Sequence, residues 1–473
     1  MAWGLSLTVP APADDTGDSW TAELNRYATR ALDNPEALSL AAVPLDGPGT
    51  AQFLRADRPM IPGSLIKLLT SYAALELLGP HFTWNTDFLT DGSVQGDILE
   101  GNLYVRFGGD PKLSTGRLWS VLGELRGMGI SHIEGDLVLD GHYFQLSGDW
   151  LPFADNGDDP HAPFLVEPSN YLTNLNLQHF QVVADERGTR AWSTPELAGV
   201  NIDNQVTSTP AGPCPREDPL AWQPAVDGGL GATVHIRGKL PQGCRAGAYF
   251  SLLPQGRYSA LLIRALLAQH RVTLSGADRF DTTPDTARLL AHTESPDLVS
   301  MARDINKWSN NVMTRQLLLT IGAHARKEGE RDDRAAGLRA INGWLAQKGL
   351  DTTTLVLDNG AGLSRRSRIT ARQGVALLQK AWRSPYAPDL LATLPIIGLD
   401  GTMAERLQDT AVRGQGRVKT GSLDHVRSIA GITRDRHNTS WAVVAIVNNR
   451  PAWNGQAVLD RVLYNLYFKP PVP

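Results

Sequence analysis

Three short, widely separated strings contain the side chains that a serine nucleophile would need. They are SLIK at 64–67, SNN at 309–311 and KTGS at 419–422. Each string alone is a weak signal, because S-x-x-K occurs by chance in most long chains. Their occurrence together and in this order is a strong signal, since three independent coincidences are improbable. Together they would supply a nucleophile, a base, a second hydroxyl and a cation that could bind an anionic group of a substrate.

The first string opens an apolar segment that predicts a helix. Ser64 is followed by LIKLLTSYAALELL, and Lys67 comes three residues later, so the two side chains would share one helix face. Apolar surroundings lower the pKa of a lysine, and its neutral amine can then take the proton of a hydroxyl. A second interpretation stays open, in which Ser64 caps the helix and Lys67 extends its amine to the solvent.

The second string lies in the segment RDINKWSNNVMTRQLL, which we predict to be part of one helix over 298–321. Three small polar residues weaken a helix and are an unfavourable choice for a packed interior. We interpret Ser309 as a proton relay between Lys67 and a leaving group, and the Asn311 amide as a group that holds a peptide substrate. The alternative is a helix with a solvated polar face.

The third string is typical of a strand that binds a carboxylate. Lys419 and the Thr420 hydroxyl would bind the anion, and Gly421 removes the bulk that would keep a substrate away. The backbone N–H groups of Ser64 and Ser422 would form an oxyanion hole. In isolation the same residues could be an ordinary edge lysine and turn.

Composition and absent motifs narrow the function classes. A chain of 473 residues predicts two or three domains, and 42% apolar with 20% charged residues is typical of a globular protein. The net charge of −4 gives no reason to expect a nucleic-acid partner. No apolar run is long enough to predict an integral membrane segment. The chain lacks H-E-x-x-H, C-x-x-C, G-x-S-x-G, P-loop and G-x-G-x-x-G motifs, so we expect no metal site and no cofactor.

The N-terminus and the cysteines bear on localisation. Residues 2–13 (AWGLSLTVPAPA) resemble the end of a secretory signal without its basic leading region, although a plain N-terminal tail fits them too. Cys214 and Cys244 lie in turn-rich stretches and could form one disulfide or remain two buried thiols. The export signal favours the disulfide and an exported, periplasmic protein.

Helical and strand patterns alternate at both ends of the chain, around a β-rich middle. Helices are predicted over 21–32, 64–78, 114–128, 257–270, 298–321, 334–348, 370–383 and 455–467. Strands are predicted over 38–44, 51–55, 101–109, 133–140, 416–420, 428–433 and 441–448, and the stretch 167–243 is predicted to be all β. The simplest arrangement is one catalytic domain built from both ends, with an insertion between them.

The three strings in this order are the set found in class A β-lactamases and penicillin-binding proteins. The long interval between Ser64 and Ser309 favours one group among them. Further matching strings are GNLYVRFGGDPKLS at 101–114, DNGAGLSR at 358–365 and KTGSL at 419–423. Over nearly its whole length the chain resembles the D-alanyl-D-alanine carboxypeptidase/endopeptidases of the penicillin-binding protein 4 type (DacB, peptidase S13).

The resemblance implies an α/β, multi-domain fold. Its penicillin-binding transpeptidase or β-lactamase-like domain would contain an antiparallel sheet flanked by helices, with β-rich domains inserted into it. On this basis we expect a discontinuous catalytic domain at 14–90 and 288–473. A second domain would comprise 91–170 and 245–287, and a third would comprise 171–244.

The resemblance also implies an activity and its residues. The partners would be peptidoglycan peptides and β-lactam antibiotics: the enzyme would remove terminal D-Ala, cleave D-Ala–diaminopimelate crosslinks and be acylated by penicillins. Ser64, Lys67, Ser309 and Asn311 would be catalytic, and substrate-binding residues would be Lys419, Thr420, Gly421, Ser422 and Arg365. Two other classes stay open, a non-catalytic peptidoglycan-binding relative and a β-lactamase-like hydrolase, and the oligomeric state is left open.

Two acidic positions concern substrate preference. Relatives often have Gln where this chain has Asp424, and a negative charge there would alter substrate preference or pH dependence. The segment GDWLPFADNGDDP at 148–160 resembles the family's loop over the active-site mouth. We choose Asp155 as a carboxylate for the diaminopimelate ammonium group, with Asp158, Asp159 or a solvated acidic turn as open alternatives.

Overall fold

The computed structural model describes residues 20–148, 153, 159–450 and 452–471. The helices in these ranges are α1 (Trp20–Leu32), α2 (Ile66–Leu78), α3 (Thr115–Gly127), α4 (Gln255–Gln269), α5 (Leu298–Lys307), α6 (Asn311–Ala325), α7 (Asp333–Gln347), α8 (Ala371–Trp382), α9 (Ala387–Thr393) and α10 (Gly455–Phe468). None of these helices combines the length and the apolar character that crossing a membrane requires.

The strands of the described residues are β1 (Leu38–Pro44), β2 (Gln52–Leu54), β3 (Asn85–Thr90), β4 (Ser93–Gln95), β5 (Ile98–Glu100), β6 (Leu103–Phe107), β7 (His132–Ile133), β8 (Leu137–Asp140), β9 (Gln178–Asp185), β10 (Gly188–Thr194), β11 (Val200–Thr209), β12 (Leu220–Asp227), β13 (Gly231–Pro241), β14 (Arg245–Phe250), β15 (Thr273–Leu274), β16 (Asp278–Phe280), β17 (Arg288–Glu294), β18 (Gly416–Leu423), β19 (Val426–Arg434) and β20 (Ser440–Asn448). The predicted α/β class is confirmed by this mixture of helices and sheets.

The sheet that positions the candidate site joins the two ends of the chain. Its strand order is β18-β19-β20-β1-β2, and all its neighbours are antiparallel. Helices cover both faces, so the central strand β20 is buried along nearly its whole length. Val443 and Ala445 pack toward α1 and α10, whereas Val444 and Ile446 pack into the core that contains α2 and α5–α9. Because successive side chains of a strand point to opposite faces, each face of this sheet packs against its own layer of helices.

Two further sheets share a core with α3 and α4. One has the strand order β16-β8-β6-β3-β17 and the other β15-β7-β5-β4. The pairs β6–β8 and β5–β7 are parallel, and β3 pairs antiparallel with both β6 and β17. The predicted single strand over 133–140 is wrong, because residues 134–136 leave β7 and continue into β8 of the neighbouring sheet.

The β-rich middle forms two small sheets around a core of their own. Their strand orders are β10-β9-β14 and β11-β13-β12. The predicted Cys214–Cys244 disulfide is present, and it links the connection between β11 and β12 to the turn between β13 and β14. The predicted domain bounds stay a prediction.

The predicted continuous helix over 298–321 is wrong. The chain forms α5 and α6 with a break at residues 308–310, where Ser309 has a φ of +57°. The Asn310 side chain accepts a hydrogen bond from Met313 N at 2.9 Å and so caps the start of α6. An ion pair between Lys307 and Asp400 holds the end of α5. The break therefore depends on a contact with a distant segment as well as on the polar string itself.

Candidate active site

Ser64 lies in a single 3₁₀ turn, Gly63–Leu65, that leads directly into α2. Lys67 lies in the first turn of α2, and its side chain is fully buried. Its Nζ lies 2.8 Å from Ser64 Oγ, 2.6 Å from Asn311 Oδ1 and 2.6 Å from the carbonyl oxygen of Ala361. The structure thus brings the first two strings together around one amine.

The surroundings of Lys67 disfavour its charged form. Burial lowers its pKa well below the usual value, and the positive charges of Lys419 and Arg315 lower it further. Arg315 is itself buried, and it lies one helix turn beyond Asn311 on α6. The Lys67 amine is therefore neutral more readily than the amine of an exposed lysine, and a neutral amine can accept a proton.

The carbonyl beside Lys67 comes from the loop whose sequence is DNGAGLSR. Asn359 Oδ1 accepts hydrogen bonds from the backbone N–H groups of Ala361 and Gly362, each at 3.1 Å. Gly362 has a φ of +77°, and a Cβ at this position would lie 1.9 Å from the carbonyl oxygen of Gly63. Only glycine therefore allows this loop to pack against the Ser64 turn.

The second and third strings meet at Ser309. Its Oγ accepts a hydrogen bond from Lys419 Nζ at 2.9 Å, and the same Nζ donates to the carbonyl oxygen of Thr420 at 2.7 Å. Lys419 is fully buried in β18, and burial lowers its pKa to about 7. We predicted that the Ser309 hydroxyl relays a proton between Lys67 and a leaving group, and in the structure this hydroxyl accepts its hydrogen bond from Lys419.

Gly421 allows β18 to approach the Ser64 turn. A Cβ at Gly421 would lie 2.7 Å from the carbonyl oxygen of Pro62 and 3.0 Å from Ser64 N. A Cβ at Gly63 would likewise lie 3.4 Å from Ser422 N. The backbone segments that carry the amides of Ser64 and Ser422 therefore lie against each other.

A cleft of about 410 Å³ adjoins Ser64. The residues that line it include most of the predicted site, namely Ser64, Ser309, Asn311, Thr420, Ser422 and Asp424. Arg365 lies beside this cleft and donates from Nη1 to the carbonyl oxygen of Asp424 at 2.5 Å. Asp155 falls outside the described residues.

Several cleft groups were missed at the level of sequence. Thr402 accepts a hydrogen bond from the Thr420 hydroxyl at 2.7 Å, and Phe164 and Arg427 also line the cleft. None of these residues belongs to a local pattern, so only their positions in the fold reveal them. Among the described residues, no group of three or more His, Cys, Asp or Glu side chains could hold a metal ion.

Comparison with known proteins agrees with this geometry. A sequence model of the D-Ala-D-Ala carboxypeptidase 3 (S13) family matches residues 38–465. The chain belongs to this family. The predicted resemblance is confirmed, and membership supports a D-alanyl-D-alanine carboxypeptidase function for this S13 protein.

Two proteins to which the chain is similar are both D-alanyl-D-alanine carboxypeptidases. That of Actinomadura sp. (strain R39) is 29% identical over 452 residues, which cover 89% of this chain and 80% of that protein. The enzyme DacB of Haemophilus influenzae is 27% identical over 402 residues, which cover 82% of this chain and 80% of that protein.

A solved structure shows the same fold. Penicillin binding protein 4 (dacB) from Haemophilus influenzae matches with a TM-score of 0.76 and 24% identity, over 93% of this chain and 98% of that one. The same protein has also been solved in complex with a β-lactam, and that structure matches with a TM-score of 0.72. The predicted penicillin-binding fold is thereby confirmed for this S13 chain.

Proposed function

We propose that this S13 protein is a serine-type D-Ala-D-Ala carboxypeptidase and DD-endopeptidase that works through an acyl-enzyme on Ser64 and is acylated by penicillins. The observation that carries the proposal is the set of partners around Lys67 Nζ. A neutral amine has two N–H donors and one lone pair. Two of its partners, Asn311 Oδ1 and the Ala361 carbonyl, accept hydrogen bonds, and the third is the Ser64 hydroxyl. The neutral amine can therefore donate to both oxygens and accept the Ser64 proton.

Acylation follows from this arrangement. Ser64 Oγ bonds to the carbonyl carbon of the penultimate D-Ala while its proton passes to Lys67 Nζ. The negative charge that develops on the carbonyl oxygen is stabilised by the N–H groups of Ser64 and Ser422. The C–N bond then breaks, and the departing amine takes the proton of the Ser309 hydroxyl, which Lys67 replaces with the proton it took from Ser64, so that Lys67 is neutral again. An ester on Ser64 results, and water hydrolyses it with Lys67 as the base.

The opposite end of the cleft suits the departing residue. Lys419 holds Ser309 Oγ, and Thr420 shares a hydrogen bond with the exposed Thr402. In its ammonium form Lys419 attracts the C-terminal carboxylate of a peptide, or the carboxylate of a penicillin, toward this end. Because Thr402 is exposed, a longer leaving group can extend into solvent, which supports cleavage of peptidoglycan crosslinks as well as removal of terminal D-Ala.

The disulfide supports the localisation that we propose, an exported enzyme in the periplasm. The Cys214–Cys244 bond would not persist in a reducing cytosol. A periplasmic location would also place the enzyme beside peptidoglycan, its proposed partner.

Mass spectrometry of the intact protein after incubation with benzylpenicillin tests the acyl-enzyme. We expect one adduct, located on Ser64, and release of D-Ala from a stem pentapeptide. Ser64→Ala should abolish both the penicillin adduct and the release of D-Ala, and it should leave the thermal unfolding unchanged. The matched control is Ser71→Ala, which removes a buried hydroxyl from α2, the helix that follows the Ser64 turn, at a position that does not line the cleft. A Ser64→Ala protein that still releases D-Ala would contradict the proposal.

A β-lactamase-like hydrolase is distinguished by the fate of the same adduct. A peptidase of this kind should hold the penicilloyl ester long enough for detection, whereas a β-lactamase releases it within each turnover. Cleavage of a purified crosslinked muropeptide dimer by the wild-type protein, and not by Ser64→Ala, tests the endopeptidase activity.

A further inference from the structure

Two charged side chains that line the catalytic cleft, Arg427 and Asp424, take no part in the steps above. Arg427 lies on β19 directly opposite Ser422 on β18, one of the two proposed oxyanion donors. It lines the same cleft as Ser64 and Asp424. A cation so close to the reacting carbonyl can distinguish substrates by their charge.

The structure holds the Arg427 guanidinium in place. Its Nη1 donates to the carbonyl oxygens of Leu423 and Val426, at 2.8 and 2.7 Å, at the end of the β18–β19 hairpin. Its aliphatic stem packs against the start of α10, where a Cβ at Gly455 would lie 3.2 Å from both Cβ and Cγ of Arg427. Because the side chain is already ordered, a ligand that binds it loses little conformational entropy.

The charge of Arg427 is acted on by the nearby Asp424 carboxylate, but the hydrogen bonds of its guanidinium go to neutral groups. In the described part of the chain both of its hydrogen bonds go to carbonyl dipoles. Burial lowers the pKa of Arg427 and the neighbouring Asp424 raises it, and a guanidinium stays protonated in either case. A third charged residue, Arg365, lies against the Asp424 backbone at this end of the cleft.

The proposed reaction decides which part of a substrate meets Arg427. The departing amine takes its proton at Ser309, so the leaving group occupies the end of the cleft near Thr402 and Thr420. The acyl part then extends past Ser422 toward Arg427. We propose that Arg427 is a specificity-determining residue that binds a carboxylate on the acyl-donor part of the substrate, an inference that rests on the proposed function.

Two penicillins that differ by one group test this. Carbenicillin carries a carboxylate on its benzyl side chain, which is on the acyl side of the scissile bond, and benzylpenicillin has the same side chain without it. The measured quantity is the ratio of the two second-order acylation rates. Arg427→Gln should lower the carbenicillin-to-benzylpenicillin ratio about 10-fold, the scale of one charge-assisted hydrogen bond. Arg427→Lys keeps the charge and should recover most of the ratio.

The matched control is Arg434→Gln, which removes an exposed cation at the far end of the same strand and should leave the ratio unchanged. Thermal unfolding of each variant separates misfolding from a change in specificity, because a misfolded enzyme loses both rates together. An unchanged ratio in Arg427→Gln would overturn the assignment of Arg427. If wild-type protein reacted with neither penicillin, the proposed function itself would fail, which is a distinct result.

Discussion

The substitution Asn311→Asp tests the proposed role of Lys67 as a neutral base. Aspartate has nearly the same shape as asparagine, so the oxygen that lies 2.6 Å from Lys67 Nζ stays in place and gains a negative charge. At an effective dielectric constant of about 20, this pair would attract by about 6 kcal/mol before desolvation is counted. Opposite charges at such distances shift pKa values by about 1–3 units in practice.

The sign of the effect follows from the chemistry of an amine. A neighbouring carboxylate stabilises the ammonium form, so the pKa of Lys67 rises and a higher pH is needed to free the base. We expect the acid limb of the acylation profile to move about 1–3 units toward alkaline pH. On that limb the rate of acylation at a fixed pH falls about 10-fold for each unit.

The assay is the rate of acylation by a chromogenic or fluorescent penicillin, measured from acid to alkaline pH. Loss of the hydrogen bond from the Asn311 amide to the Phe164 carbonyl lowers the whole curve, whereas the change at Lys67 moves it along the pH axis. The control is Asn310→Asp, which adds the same charge one residue earlier and retains a good helix cap. An Asn311→Asp profile with the wild-type acid limb would refute the reasoning.

Two other outcomes are expected. The value of kcat/KM for D-Ala release should decline as the pH rises above about 7, since Lys419 then loses the ammonium charge that attracts the substrate carboxylate. Because the bound substrate carboxylate stabilises the ammonium charge of Lys419, kcat should decline at a higher pH than kcat/KM. If the alkaline limbs of the kcat and kcat/KM profiles were identical, this would argue against Lys419 as the anion site. Replacing both Cys214 and Cys244 by Ala should lower the free energy of unfolding by about 3–4 kcal/mol, as the 30-residue separation implies. Denaturant unfolding measures this loss, and penicillin acylation should persist because neither cysteine lines the cleft.

The sequence alone was sufficient where secondary structure depends on local pattern. The apolar run after Ser64 predicted a buried helix, and α2 is buried from Ile66 to Leu75. The sequence predicted a strand over 416–420, and β18 contains this stretch and continues through the rest of KTGS. Each of these segments carries its own periodicity, so its secondary structure and the face of its reactive side chain can be read without knowledge of the rest of the chain.

The sequence could not predict the break at Ser309. Helical periodicity runs on both sides of it, and the polar string weakens the helix without showing that Ser309 takes a left-handed conformation, which costs free energy. The cost is met by long-range contacts, namely the hydrogen bond from Lys419 to Ser309 and the ion pair of Lys307 with Asp400. Those partners are close only after the sheet has formed.

What the sequence determined was the inventory of candidate reactive groups: a serine hydroxyl at the start of a helix, two lysines, a second hydroxyl and a glycine-bearing strand. What only the tertiary structure decided was how they are paired. Lys67 shares its amine with Asn311 and with the Ala361 carbonyl, and Ser309 bonds to Lys419. Both lysines have depressed pKa values because packing removes them from water, and the nearby charge of Lys419 lowers the pKa of Lys67 further. Pairing and burial are properties of the packed chain, since desolvation and Coulomb energy depend on distances that no local pattern contains.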